Sequence, residues 1–197
     1  TKVLSSILIT GLLFLLIAGF SILYSGTTVE DEEDNLVELG VISKNSILPS
    51  YATKGSSGLD VTFSEVLMHF SREDTKITPK SSGEIKLYPG ERALLSTGLK
   101  LDIPEGFEVQ VRPRSGNALK MGITVLNSPG TLDHDYIGDV GIIIINHSGV
   151  DVFLRPGDLI AQLVLTRVEK AELKVLNSLS KTERGTGGFG STGLNRK

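Results

Sequence analysis

The sequence predicts an all-β domain of the sandwich or jelly-roll kind, and three observations carry that prediction. Short runs of β-branched and aliphatic residues recur along the chain; helical periodicity is hard to find beyond residue 40; and Pro-Gly turn signals separate the runs at short intervals. Composition agrees, because a 197-residue chain with 22 glycines, 6% aromatics and no tryptophan favours short strands and many turns over long helices.

Taken in order, the first thirty residues stand apart. Val3 to Val29 contains no charged residue, and Ile7 to Tyr24 is almost wholly apolar. That length matches the roughly 20 residues a helix needs to span a bilayer. Residues 1–29 are therefore expected to form a hydrophobic helix, with membrane association through residues 3–24. A signal peptide is the second reading, since Ala18-Gly19 and Ser25-Gly26 are small. A stretch outside the working protein is the third, since the chain begins with Thr1. Lys2 alone bears on topology, and the positive-inside rule would place the remainder of the chain outside the cytoplasm. The acidic run Glu30-Asp31-Glu32-Glu33-Asp34 marks residues 30–40 as a solvated linker, and residues 41–197 as the folded domain.

Within that domain, Ser64 to Lys86 is polar and irregular and is expected to be an extended loop or a strand pair. Glu108-Val109-Gln110-Val111-Arg112 alternates polar and apolar, as a half-buried strand should. Val140-Gly141-Ile142-Ile143-Ile144-Ile145 reads as a strand buried on both faces. Leu159 to Leu165 reads as another strand, with Gln162 its conspicuous polar residue. Tyr88-Pro89-Gly90, Ile103-Pro104-Glu105-Gly106, Ser128-Pro129-Gly130 and Arg155-Pro156-Gly157-Asp158 punctuate these runs. Pro-Gly pairs suit type II turns, proline fixing φ and glycine supplying a positive φ.

Charge and cysteine content exclude several classes of function. A formal net charge of −3 gives no whole-chain footprint for nucleic acid. The absence of cysteine excludes disulfides and thiolate metal sites, and three scattered histidines argue against zinc.

The carboxyl terminus carries the most informative pattern. Arg184 to Gly193 holds five glycines, which leave no side chains to pack. Such a run offers exposed backbone N–H groups, three hydroxyls and one guanidinium, a set suited to a polyphosphate, with Phe189 available to lie on a base. In isolation the same run reads first as a solvated tail, and the rest of the chain overturns that reading.

Four further segments accompany it. They are Leu48 to Val61 (with Gly58-Leu59-Asp60), Arg112-Pro113-Arg114-Ser115-Gly116-Asn117-Ala118, Val125 to Gly138 (with Leu132-Asp133-His134-Asp135-Tyr136), and Arg155-Pro156-Gly157-Asp158-Leu159-Ile160-Ala161-Gln162-Leu163. In order and spacing, all five resemble the trimeric deoxyuridine triphosphatase (dUTPase) family from about residue 45 to the end. The resemblance implies a jelly-roll, or β-clip, domain that converts dUTP to dUMP and pyrophosphate with Mg²⁺. That reaction keeps uracil out of DNA and supplies dUMP for thymidylate synthesis. It also implies a homotrimer with shared active sites, whose glycine-rich arm (residues 184–197) closes over a neighbour's site, and an enzyme domain working in the cytoplasm.

Releasing pyrophosphate needs a positioned water, a base to activate it and neutralisation of phosphate charge. The resemblance gives the base to Asp133; without the other motifs, Asp133 and Asp135 would read as turn formers. It sets Tyr136 under the deoxyribose, where a ring leaves no room for a 2′-hydroxyl; a half-buried core tyrosine is the plain alternative. Asn127 and the backbone through Gly130, Thr131, Leu132 and Asp133 would read the uracil edge, although Asn127 is also an ordinary turn asparagine. Arg114, Ser115 and Gly116 match phosphate contacts, since arginine binds phosphate oxygens through paired N–H bonds. Gln162 matches another phosphate contact, its alternative being a glutamine that ties down a neighbouring loop. In the arm, Arg184 is assigned to the γ-phosphate and Phe189 to the uracil face, while Gly188, Gly190, Ser191 and Thr192 line the phosphates. No direct metal ligand is expected, because Mg²⁺ travels on the triphosphate and keeps its waters; Asp60 would reach it through one.

The chain departs from the family pattern at its hydrophobic amino terminus, in the lengthened 64–86 segment, at Asn117 where an apolar residue is usual, and at Thr131-Leu132. Two other readings compete. A deoxycytidine triphosphate deaminase shares the fold but needs a glutamate near the third motif. A catalytically silent nucleotide-binding module would be marked by loss of the base, the tyrosine or the arm, and all three are present.

Overall fold

Pro-Gly turns and short apolar runs do build an antiparallel all-β architecture. The computed structural model describes residues 36–44, 47–73, 75–81, 83–191 and 193. In chain order the strands are β1 (Gly40–Ser43), β2 (Ser50–Tyr51), β3 (Leu59–Thr62), β4 (Glu65–Phe70), β5 (Lys76–Ser81), β6 (Ile85–Leu87) and β7 (Arg92–Ser96). They continue with β8 (Leu99–Asp102), β9 (Phe107–Arg112), β10 (Ile123–Val125), β11 (Gly130–Leu132), β12 (Gly141–Asn146), β13 (Val152–Leu154) and β14 (Leu159–Arg167). One helix, α1 (Ser115–Met121), interrupts them.

Two five-stranded sheets, ordered β10-β12-β7-β4-β5 and β11-β9-β14-β3-β2, carry the core, and the pairs β1-β8 and β13-β6 flank them. Residues Leu95, Ile142 and Ile144 of the first sheet and Val61, Val109 and Leu163 of the second are almost fully buried. Period-2 alternation explains which residues these are: β9 buries Val109 and Val111, while Gln110 between them is half-buried. Removing this apolar surface from water is the main stabilising term, at roughly 25 cal/mol per Å².

The structure corrects three sequence expectations. Strand β12 alternates buried and half-buried residues, so one face is closed and the other only partly covered. Three of the four Pro-Gly signals have glycine at positive φ, at Gly90, Gly106 and Gly157. The fourth differs: Ser128-Pro129 is a cis peptide and Gly130 starts a strand. Helix α1 has no sequence signal, because Ser115-Gly116-Asn117-Ala118-Leu119-Lys120-Met121 has no apolar face and buries none of its residues.

Residues 64–86 form strands rather than a loop. β4 pairs with both β5 and β7, so the lengthened segment is built into a sheet. A buried hydrogen bond fastens it: His69 Nε2 lies 2.9 Å from Glu91 Oε2, which also accepts the Tyr88 N–H at 3.0 Å. The hydrophobic helix expected over residues 1–29 and most of the acidic linker lie outside the described residues. Among the described residues, no helix is long and apolar enough to cross a membrane.

Candidate functional site

The five motifs resolve into three groups. The first is a polar pocket of about 290 Å³ lined by Ala52, Ser56, Ser57, Gly58, Asp60, Arg114, Ser115, Gly116 and Gln162. Strand registry brings its parts together, because β14 lies between β3 and β9 and aligns Gln162 with Asp60 on one side and Arg112 on the other. Arg114 follows β9 directly and turns back to grip Asp60 with two charged hydrogen bonds, Nε to Oδ1 at 2.8 Å and Nη2 to Oδ2 at 3.1 Å. A bidentate pair of this kind fixes the plane of the guanidinium. It leaves the remaining Arg114 N–H groups, the Ser115 hydroxyl and the Gly116 backbone available to a ligand.

Gln162 behaves as the tie-down that the sequence left open. Its Nε2 donates to Pro113 O at 2.9 Å, linking β14 to the Arg114 turn. A Cβ placed on Gly58 would collide with Gln162 Oε1, so only glycine lets these two segments approach so closely. The same amide retains a second N–H for a ligand.

The second group lies at the other end of β9. β11 pairs antiparallel with β9, setting Gly130 against Val111 and Leu132 against Val109, and so carries Asp133 past Glu108. Asn127 folds over buried Gly130, its Nδ2 only 3.1 Å from where a Cβ would sit. Asp133 is exposed and shares a pocket of about 290 Å³ with Gly106, Phe107, Glu108, His134, Asp135, Val168 and Lys170. Tyr136 follows in a turn closed by its N–H on Asp133 O at 3.1 Å. Its hydroxyl donates to Asp139 O at 2.9 Å, and its ring crosses Gly138 so closely that any side chain there would clash. The half-exposed ring is thus held in one orientation, and it is not a core residue.

The third group is the arm. After β14 the described chain forms no further strand, and Leu173, Val175 and Leu179 are more than four-fifths exposed. Among the described residues of the arm, local turns shape the chain: Gly185 N–H to Thr182 O at 3.1 Å, Gly187 N–H to Arg184 O at 3.1 Å and Ser191 N–H to Gly188 O at 3.0 Å. Arg184 Nε donates to Gly187 O at 2.9 Å. Phe189 is fully exposed and adopts φ 47, a left-handed conformation that costs a non-glycine residue roughly 1–2 kcal/mol. Gly188 and Gly190 flank it, and Thr192 lies outside the described residues.

The first two groups do not meet within one chain. From Glu108, beside Asp133, to Arg114 the extended chain covers about 20 Å at ~3.3 Å per residue. The two pockets share no residue. Sequence reasoning overlooked Ala52, Ser56, Ser57 and Gly58 as pocket walls, although the Ser-Ser-Gly run beside Asp60 was a usable signal. It also overlooked Lys170, which only the antiparallel return of β14 brings near Asp133. Among the described residues, no group of three or more Asp, Glu and His side chains is placed to hold a metal ion.

Comparison with known proteins gives the family. A family model described as dUTPase matches residues 79–193. A curated Hydrogenobaculum protein named deoxyuridine 5'-triphosphate nucleotidohydrolase is 46% identical over 153 residues, covering 78% of this chain and 94% of that one. Its namesake from Heliobacterium modesticaldum is 44% identical over 160 residues, with 81% and 97% covered. Among solved structures, a mutant dUTPase of Staphylococcus bacteriophage 80alpha with dUpNHpp aligns with a TM-score of 0.65 at 25% identity, covering 81% of this chain and all of that one. From strand order, pocket chemistry and these likenesses together, the chain belongs to the dUTPase family.

Proposed function

We infer that the chain hydrolyses dUTP to dUMP and pyrophosphate. The observation that carries this reading is the hairpin from Asn127 to Tyr136, where an exposed carboxylate, an immobilised tyrosine ring and an ordered backbone edge follow one another. Asp133 takes the proton of the attacking water as the anhydride linking the α- and β-phosphates breaks. General-base catalysis of this kind contributes about 10² to 10⁴ in rate. Asn127 and the strand backbone of Gly130, Thr131 and Leu132 present fixed donors and acceptors to uracil. Cytosine reverses part of that pattern and leaves polar groups unpaired, a mismatch that can be worth about 10⁴ to 10⁵ in specificity. Tyr136 lies against the sugar and refuses a 2′-hydroxyl.

Arg114, Ser115, Gly116 and Gln162 receive the phosphates. Arg184, Gly188, Gly190, Ser191 and Thr192 of the arm close over them, with Phe189 on the base. Mg²⁺, when bound, screens charge on the triphosphate and orients its oxygens. Both Asp60 oxygens face Arg114 yet keep lone pairs free, which suits a hydrogen bond from a metal-bound water rather than direct ligation. The separation of Asp133 from Arg114, about 20 Å along β9, supports a homotrimer, since one triphosphate cannot reach both within a single chain. One chain supplies the base hairpin and a neighbour supplies the phosphate pocket.

For the amino terminus, the uncharged run of residues 3–24 supports a membrane anchor, with residues 30–40 as linker and residues 41–197 as the enzyme domain facing the cytoplasm, where its substrate is found. Retention of the full chain in carbonate-washed membranes is the expected result, and release would remove the anchor. The activity itself is tested with dUTP, dTTP, dCTP and UTP in the presence of Mg²⁺, following pyrophosphate and ammonia. Pyrophosphate from dUTP alone is expected, with kcat down at least about 10²-fold in Asp133→Asn and nucleotide binding retained. Ammonia from dCTP would instead mark a deaminase, and tight dUTP binding without turnover a binding module.

A further inference from the structure

We propose that Asn117 is a positioning residue for the phosphate pocket, holding helix α1 to strand β14 so that Ser115 and Gly116 face the triphosphate. The inference rests on the reading of that pocket given under Proposed function and extends it to a residue outside its lining.

Helix α1 has little else to fix it. It is seven residues long, well below the roughly 12–15 that give even marginal stability to an isolated helix. None of its residues is buried, its first turn contains no acidic residue, and Arg114 at the N-cap makes no side-chain capping bond. Arg114 cannot cap, because a guanidinium carries no acceptor for the free helix N–H groups; it donates to Asp60 instead. The far end is closed by Gly122 at φ 69, whose carbonyl accepts the His147 N–H at 2.9 Å. Among the described residues, Asn117 makes the one side-chain hydrogen bond between α1 and a sheet, from Nδ2 to Leu159 O at 2.8 Å.

The acceptor is placed to transmit this tether. Leu159 opens β14 at a register shift, where the pairing with β3 skips from Leu159 to Ala161. A bulge leaves a carbonyl outside the regular ladder, and an amide donor stabilises it there. Three residues later Gln162 donates to Pro113 O. Asn117 and Gln162 are therefore two rungs between the same pair of segments, one on each side of Arg114, Ser115 and Gly116. With the Asp60 grip on Arg114, they determine where the phosphate-facing groups stand. An apolar side chain at position 117 has no donor for the Leu159 carbonyl, so the reading attaches to asparagine itself.

The test separates positioning from general destabilisation by using two ligands of one site. Wild type, Asn117→Leu, Asn117→Asp and Asn117→Gln are compared for binding of the non-hydrolysable α,β-imido analogue of dUTP with Mg²⁺, for binding of deoxyuridine, and for kcat and KM. Asn117→Leu and Asn117→Asp are expected to weaken the imido analogue and raise KM about tenfold, the usual consequence of losing one such contact. Deoxyuridine affinity and Tm should stay near wild type, and Asn117→Gln should recover much of the loss. Unchanged affinity of Asn117→Leu for the imido analogue overturns the inference. Parallel losses for both ligands, accompanied by a fall in Tm, overturn it in favour of a purely structural role. If the wild type itself binds deoxyuridine but gains nothing from the triphosphate, the pocket assignment fails and takes this inference with it.

Discussion

The phosphate pocket and the glycine-rich arm are built from the same kinds of group, arginine, serine and glycine, yet they are held in opposite ways. In the pocket, Arg114 is gripped by Asp60, Gln162 is bonded to Pro113, and three strands fix their relative register. In the arm, among the described residues, Arg184 is bonded to Gly187 three residues away, and each turn closes on its own neighbours. Preorganised donors stabilise developing charge without further reorganisation, whereas a mobile element must be ordered by the ligand it covers. On the proposed reading, the difference would allot the roles: the pocket would set where the phosphates lie, and the arm would decide when the site is closed to water.

The largest effect that can break this contrast comes from removing the arm. Deleting residues 184–197 is expected to lower kcat/KM by roughly 10²-fold, the scale of losing a transition-state donor. Tm should be unchanged, because no strand among the described residues is lost. A drop in Tm measured by calorimetry would make the arm structural. Arg114→Ala should cut activity by a similar or smaller factor and also destabilise, by about 1–3 kcal/mol, since it strands an Asp60 carboxylate that is only 15% exposed. Urea titration checks this, and a variant as stable as wild type would show the ion pair to be dispensable to the fold. Gly58→Ala is the mildest change: its methyl group meets Gln162 Oε1, so KM should rise several-fold while stability falls by roughly 1 kcal/mol.

Much of this contrast is legible in the sequence, for identifiable reasons. Five glycines between Arg184 and Gly193 announce a segment without a core, and the alternation around Val109 and Val111 announces a strand. Residues 64–86 suit a loop and a strand pair alike, because charge breaks their alternation; pairing with β7 and the buried His69–Glu91 contact decide between the two. Helix α1 stays hidden because it has neither an amphipathic face nor a side-chain N-cap, and a tertiary bond from Asn117 helps to hold it. The isoleucine run of β12 reads as doubly buried because hydrophobicity alone cannot say which face a neighbour covers. Gln162 illustrates the same limit from the polar side: its residue type allows both a phosphate contact and a loop tie, and only the approach of Gly58 and Pro113 shows the tie.

The separation of Asp133 from Arg114 along β9 has a genetic consequence. If each site takes its base from one subunit and its guanidinium from another, two inactive alleles can rescue each other. Asp133→Asn and Arg114→Ala chains, each nearly silent alone, would regain activity when unfolded and reassembled together. With equal, random mixing in a cyclic assembly, about one quarter of the sites receive an intact residue from both donors. In a cell carrying both alleles, the pair would behave as complementing rather than as two losses.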